Sequence, residues 1–155
     1  MENHSFYMKI AYNEALKACN SGEIPVGSII VLDNDIIASS HNMVENRNDP
    51  TCHAEILAIS LASNILGNFR LSKAILYTTL EPCAMCAGAI INSRIKKVVI
   101  GAHQPDSGCC GSVIDLLNNP HLNTNVEVKW LYDKNCSDII TKFFQSKRIM
   151  KRGYL

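Results

Sequence analysis

The chain has 155 residues, read as one domain spanning 1–155, and a chain of this size buries about 68–70% of its unfolded surface. With 47% hydrophobic and 19% charged residues, 8 Gly and 5 Pro, it is neither a disordered nor a collagen-like sequence. A net charge of +1 excludes a polycation overall, yet Lys142, Lys147, Arg148, Lys151 and Arg152 all follow the last acid, Asp138, so a basic tail ends an acidic body.

In chain order, Met8, Ala11, Tyr12, Ala15 and Cys19 recur at helical spacing, predicting a helix from Ser5, as its cap, to Ser21, with Gly22 as the stop. Val26 to Leu32 is rich in β-branched residues. With the turn Asp33-Asn34-Asp35 and the run Ile36 to Ser40 it predicts a β-hairpin. Asn42 to Pro50 is polar and reads as a loop, and Glu55 to Leu66 as a helix ending at Gly67. A strand at Ala74–Thr79, a helix at Cys83–Asn92 and a strand at Lys97–Gly101 follow. After a loop from His103 to Gly111 come a short helix at Val113–Leu117, a strand at Val126–Tyr132 and a helix from Cys136. Strands alternating with helices predict an α/β fold, a three-layer α/β/α sandwich around about five strands.

No apolar run reaches the roughly 18–20 residues of a membrane span, and the first residues do not have the pattern of a secretory signal, so the expected location is cytoplasmic. The cysteines number seven, and in that compartment they favour metal or catalytic chemistry over disulfides.

Two strings carry that chemistry: His53-Ala54-Glu55 and Pro82-Cys83-Ala84-Met85-Cys86. Cys83 and Cys86, three apart in a helix's first turn, project from one side, where the helix N-terminus favours the thiolate that binds metal. Pro82 suits a helix start, which needs no amide hydrogen there. One imidazole and two thiolates are three good zinc ligands, and three protein ligands leave a position open, as catalytic zinc sites do. Glu55 puts a carboxylate beside that position. Either string alone is weak; together they form the recognised H-x-E…P-C-x-x-C signature of zinc-dependent nucleobase deaminases. The competing reading is a structural zinc or a fortuitous thiol pair, with Cys52, Cys109, Cys110 or His103 as a fourth ligand.

The stretches Asp49-Pro50-Thr51-Cys52-His53-Ala54-Glu55-Ile56 and Thr79-Leu80-Glu81-Pro82-Cys83-Ala84-Met85-Cys86-Ala87-Gly88-Ala89-Ile90 resemble those of bacterial tRNA adenosine deaminases of the TadA type, in the cytidine/deoxycytidylate deaminase superfamily. Glu23-Ile24-Pro25-Val26-Gly27, Ser93-Arg94-Ile95 and Phe143-Phe144 before the basic tail are also similar to that family. The resemblance implies a cytidine deaminase-like mixed sheet and hydrolytic conversion of the wobble adenosine of a tRNA anticodon loop to inosine, by a homodimer with one Zn2+ per subunit. It implies His53, Cys83 and Cys86 as zinc ligands, Glu55 as the proton shuttle, and Asn42, Val26, Leu80 and Ala54 as substrate-binding residues. Two departures stand out. His103-Gln104, with Asp106 two positions on, replaces the family's usual acidic residue after Gly-Ala-Arg, and Cys109-Cys110 replaces two small residues.

Each assignment has a plainer competitor. Asn42 also suits a turn; Glu81 reads as a structural hydrogen-bonding group; the remaining cysteines read as buried filler. In the basic tail, Lys147 with Lys151 and Arg148 with Arg152 fall four apart, downstream of Phe143 and Phe144. The helix then packs one face and offers phosphates the other, with Arg94 a weaker candidate for the same task. The alternatives to a tRNA enzyme are a deaminase of a free nucleobase or nucleoside (guanine or cytosine type), which shares the zinc motif, and a catalytically silent zinc-fold partner or RNA-binding module, which has no need of Glu55.

Overall fold

A computed structural model describes residues 3–153. Helix α1 (His4–Asn20) is capped by the side chain of Asn3, which accepts from the Phe6 N–H, so its cap lies two residues ahead of the predicted Ser5. It ends at Ser21, with Gly22 at φ +80°. Strands β1 (Gly27–Leu32) and β2 (Asp35–His41) form the predicted hairpin, turning on Asp33 and Asn34, both at positive φ as a two-residue hairpin loop requires. The stretch from Asn42 to Pro50 is not all loop: Val44–Arg47 makes one helical turn, α2. Helix α3 (Ala54–Leu66) stops at Gly67 in the left-handed conformation, as predicted. Then come β3 (Ile75–Leu80), α4 (Ala84–Asn92), β4 (Lys97–Ala102), β5 (Glu127–Trp130) and α5 (Lys134–Arg152), the last capped by the Asp133 side chain.

The predicted helix at Val113–Leu117 is absent. Instead Cys110 bridges Asp115, and the N–H groups of Cys110 and Ser112 turn inward to the Glu81 carboxylate rather than along a helix axis.

The five strands form one mixed sheet in the order β2-β1-β3-β4-β5. β1 runs antiparallel to both β2 and β3, while β3, β4 and β5 are parallel. Alternation along the strands divides the core in two. Ile29, Val31, Tyr77 and Val99 pack with Met8 and Ala11 of α1 and Cys136 of α5. Ile30, Leu76, Val98 and Ile100 pack on the other face with Ala58 and Ala62 of α3 and Ala87 and Ile90 of α4. These are the three layers the sequence predicts. Each fully buried Leu or Ile contributes roughly 1.5–3 kcal/mol.

This topology gathers the site. Because β1 is antiparallel to β2 and β3, the start of β1 and the end of β2 lie beside the end of β3. Gly27 pairs with His41, the Gly27 N–H donates to Thr79 Oγ1, and the Asn42 N–H donates to the Val26 carbonyl. Helix α1 crosses β1 at Gly27, where a Cβ would lie 2.0 Å from the Ala11 carbonyl oxygen and 2.5 Å from the Ala15 nitrogen. Both obstacles are helix backbone and cannot swing aside. Gly27→Ala should therefore cost about 3 kcal/mol, a Tm decrease of roughly 6–12 °C by thermal melting; an unchanged Tm would contradict the packing described.

Candidate metal centre and substrate pocket

His53 is the N-cap residue of α3 and Cys83 that of α4, both in extended backbone conformation. The two helices therefore begin at one point beyond the end of β3, the usual location of ligand sites in α/β sheets. Cys86 follows in the first turn of α4. His53 Nδ1 lies 3.7 Å from Cys83 Sγ and 3.6 Å from Cys86 Sγ. A tetrahedral zinc with bonds of about 2.3 Å to sulfur and about 2.0–2.1 Å to nitrogen separates those atoms by about 3.6 Å. The donor set and its spacing thus fit zinc without rearrangement. Among the described residues these three form the one cluster of His, Cys, Asp and Glu side chains able to hold a metal. Cys52, Cys109, Cys110 and His103, the possible fourth ligands, stay outside it, so the site is open on one side.

The Cys83 thiol is held well below the ordinary range by hydrogen bonding with Cys86 and then with His53, against the effect of burial. Its hydrogen bond with Cys83 also raises the His53 imidazole. Glu55 is fully buried in the first turn of α3, and that burial pushes its carboxyl up to about 7. It belongs to no metal-ligating cluster, and it opens onto the same cavity.

That cavity, about 180 Å³, has His53, Cys83 and Glu55 at its base, with Val26, Leu80, Ala54 and Asn42 in its walls. All four substrate-binding residues named from the sequence are thus brought together with the metal ligands. Asn42 carries a telling feature. Its Nδ2 donates to Glu23 Oε2 at 3.4 Å and to the Ile24 carbonyl at 3.3 Å, while its buried Oδ1 has no partner among the described residues. Since both neighbours of Nδ2 are acceptors, the amide cannot be turned round. A bare buried carbonyl oxygen costs about 1–3 kcal/mol unless a ligand donates to it.

Five further residues line the pocket that the sequence did not assign to it, Glu81 and Ser107 among them. Ile24 and Gln104 line the pocket, and Phe144 of α5 closes one side. A second groove shares Leu80, Gln104 and Phe144 with the pocket and runs on to Asp106 and Arg148. Beyond Phe143 every described residue of α5 is exposed, including Lys147, Arg148, Lys151 and Arg152, so the basic tail extends from the pocket mouth into solvent. Arg94 is exposed in left-handed conformation just past the C-terminal end of α4, away from the ligand-bearing end. The structure does not bring it to the pocket.

Glu81 has the structural role suggested by the sequence. Its buried carboxylate accepts from the N–H groups of Gln104 (2.9 Å), Cys110 (3.1 Å) and Ser112 (3.0 Å), and from the Ser112 hydroxyl. Gly108 packs so close that a Cβ there would meet the carboxylate at 2.3 Å. Gln104 Oε1 accepts from the Asp106 N–H, folding the departing His103-Gln104 segment onto its own loop, and His103 stacks on Trp130 at 4.2 Å. Burial alone would raise the Glu81 carboxyl, but the donors outweigh it and the net shift is downward. Its contribution to stability is therefore complete above the unfolded-state pKa of about 4.3 and is lost as pH falls through the lower folded-state value. Glu81→Gln should lower stability at pH 7 by about 2 kcal/mol and flatten its dependence on pH between about 5 and 3 in denaturant titrations. A variant with the wild-type pH profile would contradict this role.

Residues 1–102 match the family model of the cytidine and deoxycytidylate deaminase zinc-binding region. The chain is 42% identical over 154 residues to the tRNA-specific adenosine deaminase of Bacillus subtilis (strain 168), covering 99% of this chain and 96% of that protein. A solved structure from work on A-to-I editing by tRNA:A34 deaminases at the wobble position is 38% identical, with a TM-score of 0.84 over 87% of this chain and 99% of the other. The guanine deaminase from Bacillus subtilis superimposes with a TM-score of 0.64 at 35% identity, covering 95% and 94%. A match through both signature strings, joined to relatives aligned over nearly the full length, shows that this chain belongs to the zinc-dependent cytidine and deoxycytidylate deaminase family.

Proposed function

We propose that the protein hydrolyses the wobble adenosine of a tRNA anticodon loop to inosine, with His53, Cys83 and Cys86 holding one Zn2+ and Glu55 moving the proton. The observation that carries the chemistry is the open three-ligand cluster with the buried carboxyl group of Glu55 in the same cavity. Bound there, the metal supplies the Lewis acidity that makes water a nucleophile at neutral pH. Glu55 takes a proton from the attacking water and passes it to N1 of the adenine as the new bond forms at C6. It then carries the second proton to the departing amine, so that water is consumed and ammonia released. Burial favours the neutral carboxyl, which suits a group that must hold a proton between these steps. Val26 and Leu80 clasp the base, the Ala54 backbone flanks it, and Asn42 Oδ1 accepts a hydrogen bond from the nucleoside.

The tRNA substrate is supported by the names of the relatives and by the groove that continues from the pocket past Phe144 to Arg148 and the exposed basic turns of α5. An anticodon loop is already single-stranded, so extruding its base costs less than opening a duplex. A second reading, deamination of a free base such as guanine, is favoured by the likeness to guanine deaminase. It leaves the solvated cations of α5 without a task. Arg94 remains a separate phosphate-contact candidate. The same reading places the enzyme with its tRNA in the cytoplasm; no helix among the described residues is long and apolar enough to cross a membrane. It also takes the protein as a homodimer. In support, Leu61 and Ile65 stand exposed one turn apart on the outer side of α3.

Two experiments test this reading. Glu55→Ala should retain one zinc per chain by elemental analysis while turnover falls by about 10²–10⁴-fold, whereas Cys83→Ala should lose the metal. Loss of zinc from the Glu55 variant would make Glu55 a ligand and overturn its assigned role. Replacing Lys147, Arg148, Lys151 and Arg152 together by Ala should weaken anticodon stem-loop binding. The slope of log affinity against log salt should become shallower by up to about 3. An unchanged slope would remove α5 from the RNA interface.

A further inference from the structure

Glu23 lies between the end of α1 and the start of β1, is completely buried, and has no place in the chemistry above. Its Oε1 accepts from the Asn46 N–H at 2.7 Å. Its Oε2 accepts from the Glu45 N–H at 3.2 Å and from Asn42 Nδ2 at 3.4 Å. The two backbone donors are in the first turn of α2, whose own N-cap residue, Met43, makes no side-chain cap. One carboxylate therefore stands in for the missing cap of α2 and grips the amide of Asn42, the pocket residue two positions before its first residue.

We infer that Glu23 is a positioning residue that fixes the polarity Asn42 presents to the substrate. This inference rests on the reading that Asn42 touches the nucleoside. An Asn side chain offers either an acceptor or two donors, and the two orientations have nearly the same shape. Here Glu23 and the Ile24 carbonyl are both acceptors, so Nδ2 must face them, and Oδ1 of this pocket-lining residue is left buried and without a partner among the described residues, as the atom free to accept from a ligand. The substrate group that fits is a donor, a ribose hydroxyl or a base N–H, and a nucleoside offering only an acceptor there is rejected. Without the Glu23 carboxylate only the Ile24 carbonyl holds Nδ2 in place, so the preference for this orientation weakens and N–H groups can be offered instead, which changes what the pocket recognises while leaving the metal ligands and Glu55 untouched.

Glu23→Gln replaces one acceptor by an NH2 group; set against Asn42 Nδ2 it opposes donor to donor, so the amide loses one of the two acceptors that fix its orientation and keeps only the Ile24 carbonyl. On an anticodon stem-loop with adenosine at the wobble position, Glu23→Gln should lower kcat/KM at least tenfold, mainly through KM, with zinc content unchanged. The decisive reading is a double-mutant cycle. In an Asn42→Ala background, Glu23→Gln should cause little further loss, because the group it acts through is gone. An equal loss in both backgrounds, or no loss in either, overturns the inference while leaving the substrate role of Asn42 intact. If instead Asn42→Ala leaves KM unchanged, the Asn42 assignment fails and the inference with it. Should Glu23→Gln lose its cooperative melt, the reversed pair Glu23→Gln with Asn42→Asp carries the test, since it restores one donor facing one acceptor and keeps an oxygen toward the pocket. Activity above that of Asn42→Asp alone supports the inference, and activity no higher overturns it.

Discussion

Two helix N-termini are aimed at one point, and the remainder of the site is arranged around that convergence. His53 and Cys83 occupy the same backbone position, the residue just before a helix, on helices that cover the same face of the sheet. The strand between them, β3, fixes where the second helix begins relative to the first. The resulting 3.6–3.7 Å separations of imidazole nitrogen from the two sulfurs are those of adjacent corners of a zinc tetrahedron. The helix dipoles favour negative charge there, which helps keep thiolate available for the metal. A shift of either helix by one residue would rotate its ligand out of reach, so the packing of α3 and α4 on the sheet is itself a condition for metal binding.

Three buried glutamates surround this point, and what each can do follows from how many N–H groups face it. Glu81 accepts from three backbone amides and a hydroxyl, and is held ionised as the organiser of the loop after β4. Glu23 accepts from two backbone amides and the Asn42 side chain, and ties α2 to the pocket. Glu55 is just as deeply buried, but desolvation dominates and its carboxyl rises to about 7. The residue type is constant and the environment sorts the three: two carboxylates hold structure, and the third, in the cavity with the metal-ligating cluster, has its neutral form favoured by burial, as the proposed proton shuttle requires.

The parts of this arrangement written in local sequence were legible there. The hairpin followed from β-branched runs around Asp33-Asn34-Asp35, and the end of α3 from Gly67. The metal-ligating cluster of His53, Cys83 and Cys86, with Glu55 near it, followed from two short strings, because each pair falls within one helical turn. The parts made by distant contacts were not. Helix α2 lacks a local cap and depends on Glu23, some twenty residues earlier in the chain. The segment Val113–Leu117 has apolar residues suited to a helix, yet its neighbours Cys110 and Ser112 are drawn to Glu81. Phe143 and Phe144 are adjacent in sequence but point about 100° apart on α5, so Phe143 is buried and Phe144 reaches the pocket mouth. Which of the two faces the pocket depends on how α5 packs against the sheet, which the sequence of α5 alone does not state.

The central claim is that a metal-dependent deaminase pocket is joined to an RNA-binding groove. The most direct test is nucleoside analysis after incubation of the zinc-loaded protein with an anticodon stem-loop bearing adenosine at the wobble position, run beside free adenosine, cytosine and guanine. The account predicts inosine from the stem-loop and no turnover of the free compounds. Ammonia released from a free base, with the stem-loop unchanged, would preserve the zinc chemistry and contradict the RNA substrate.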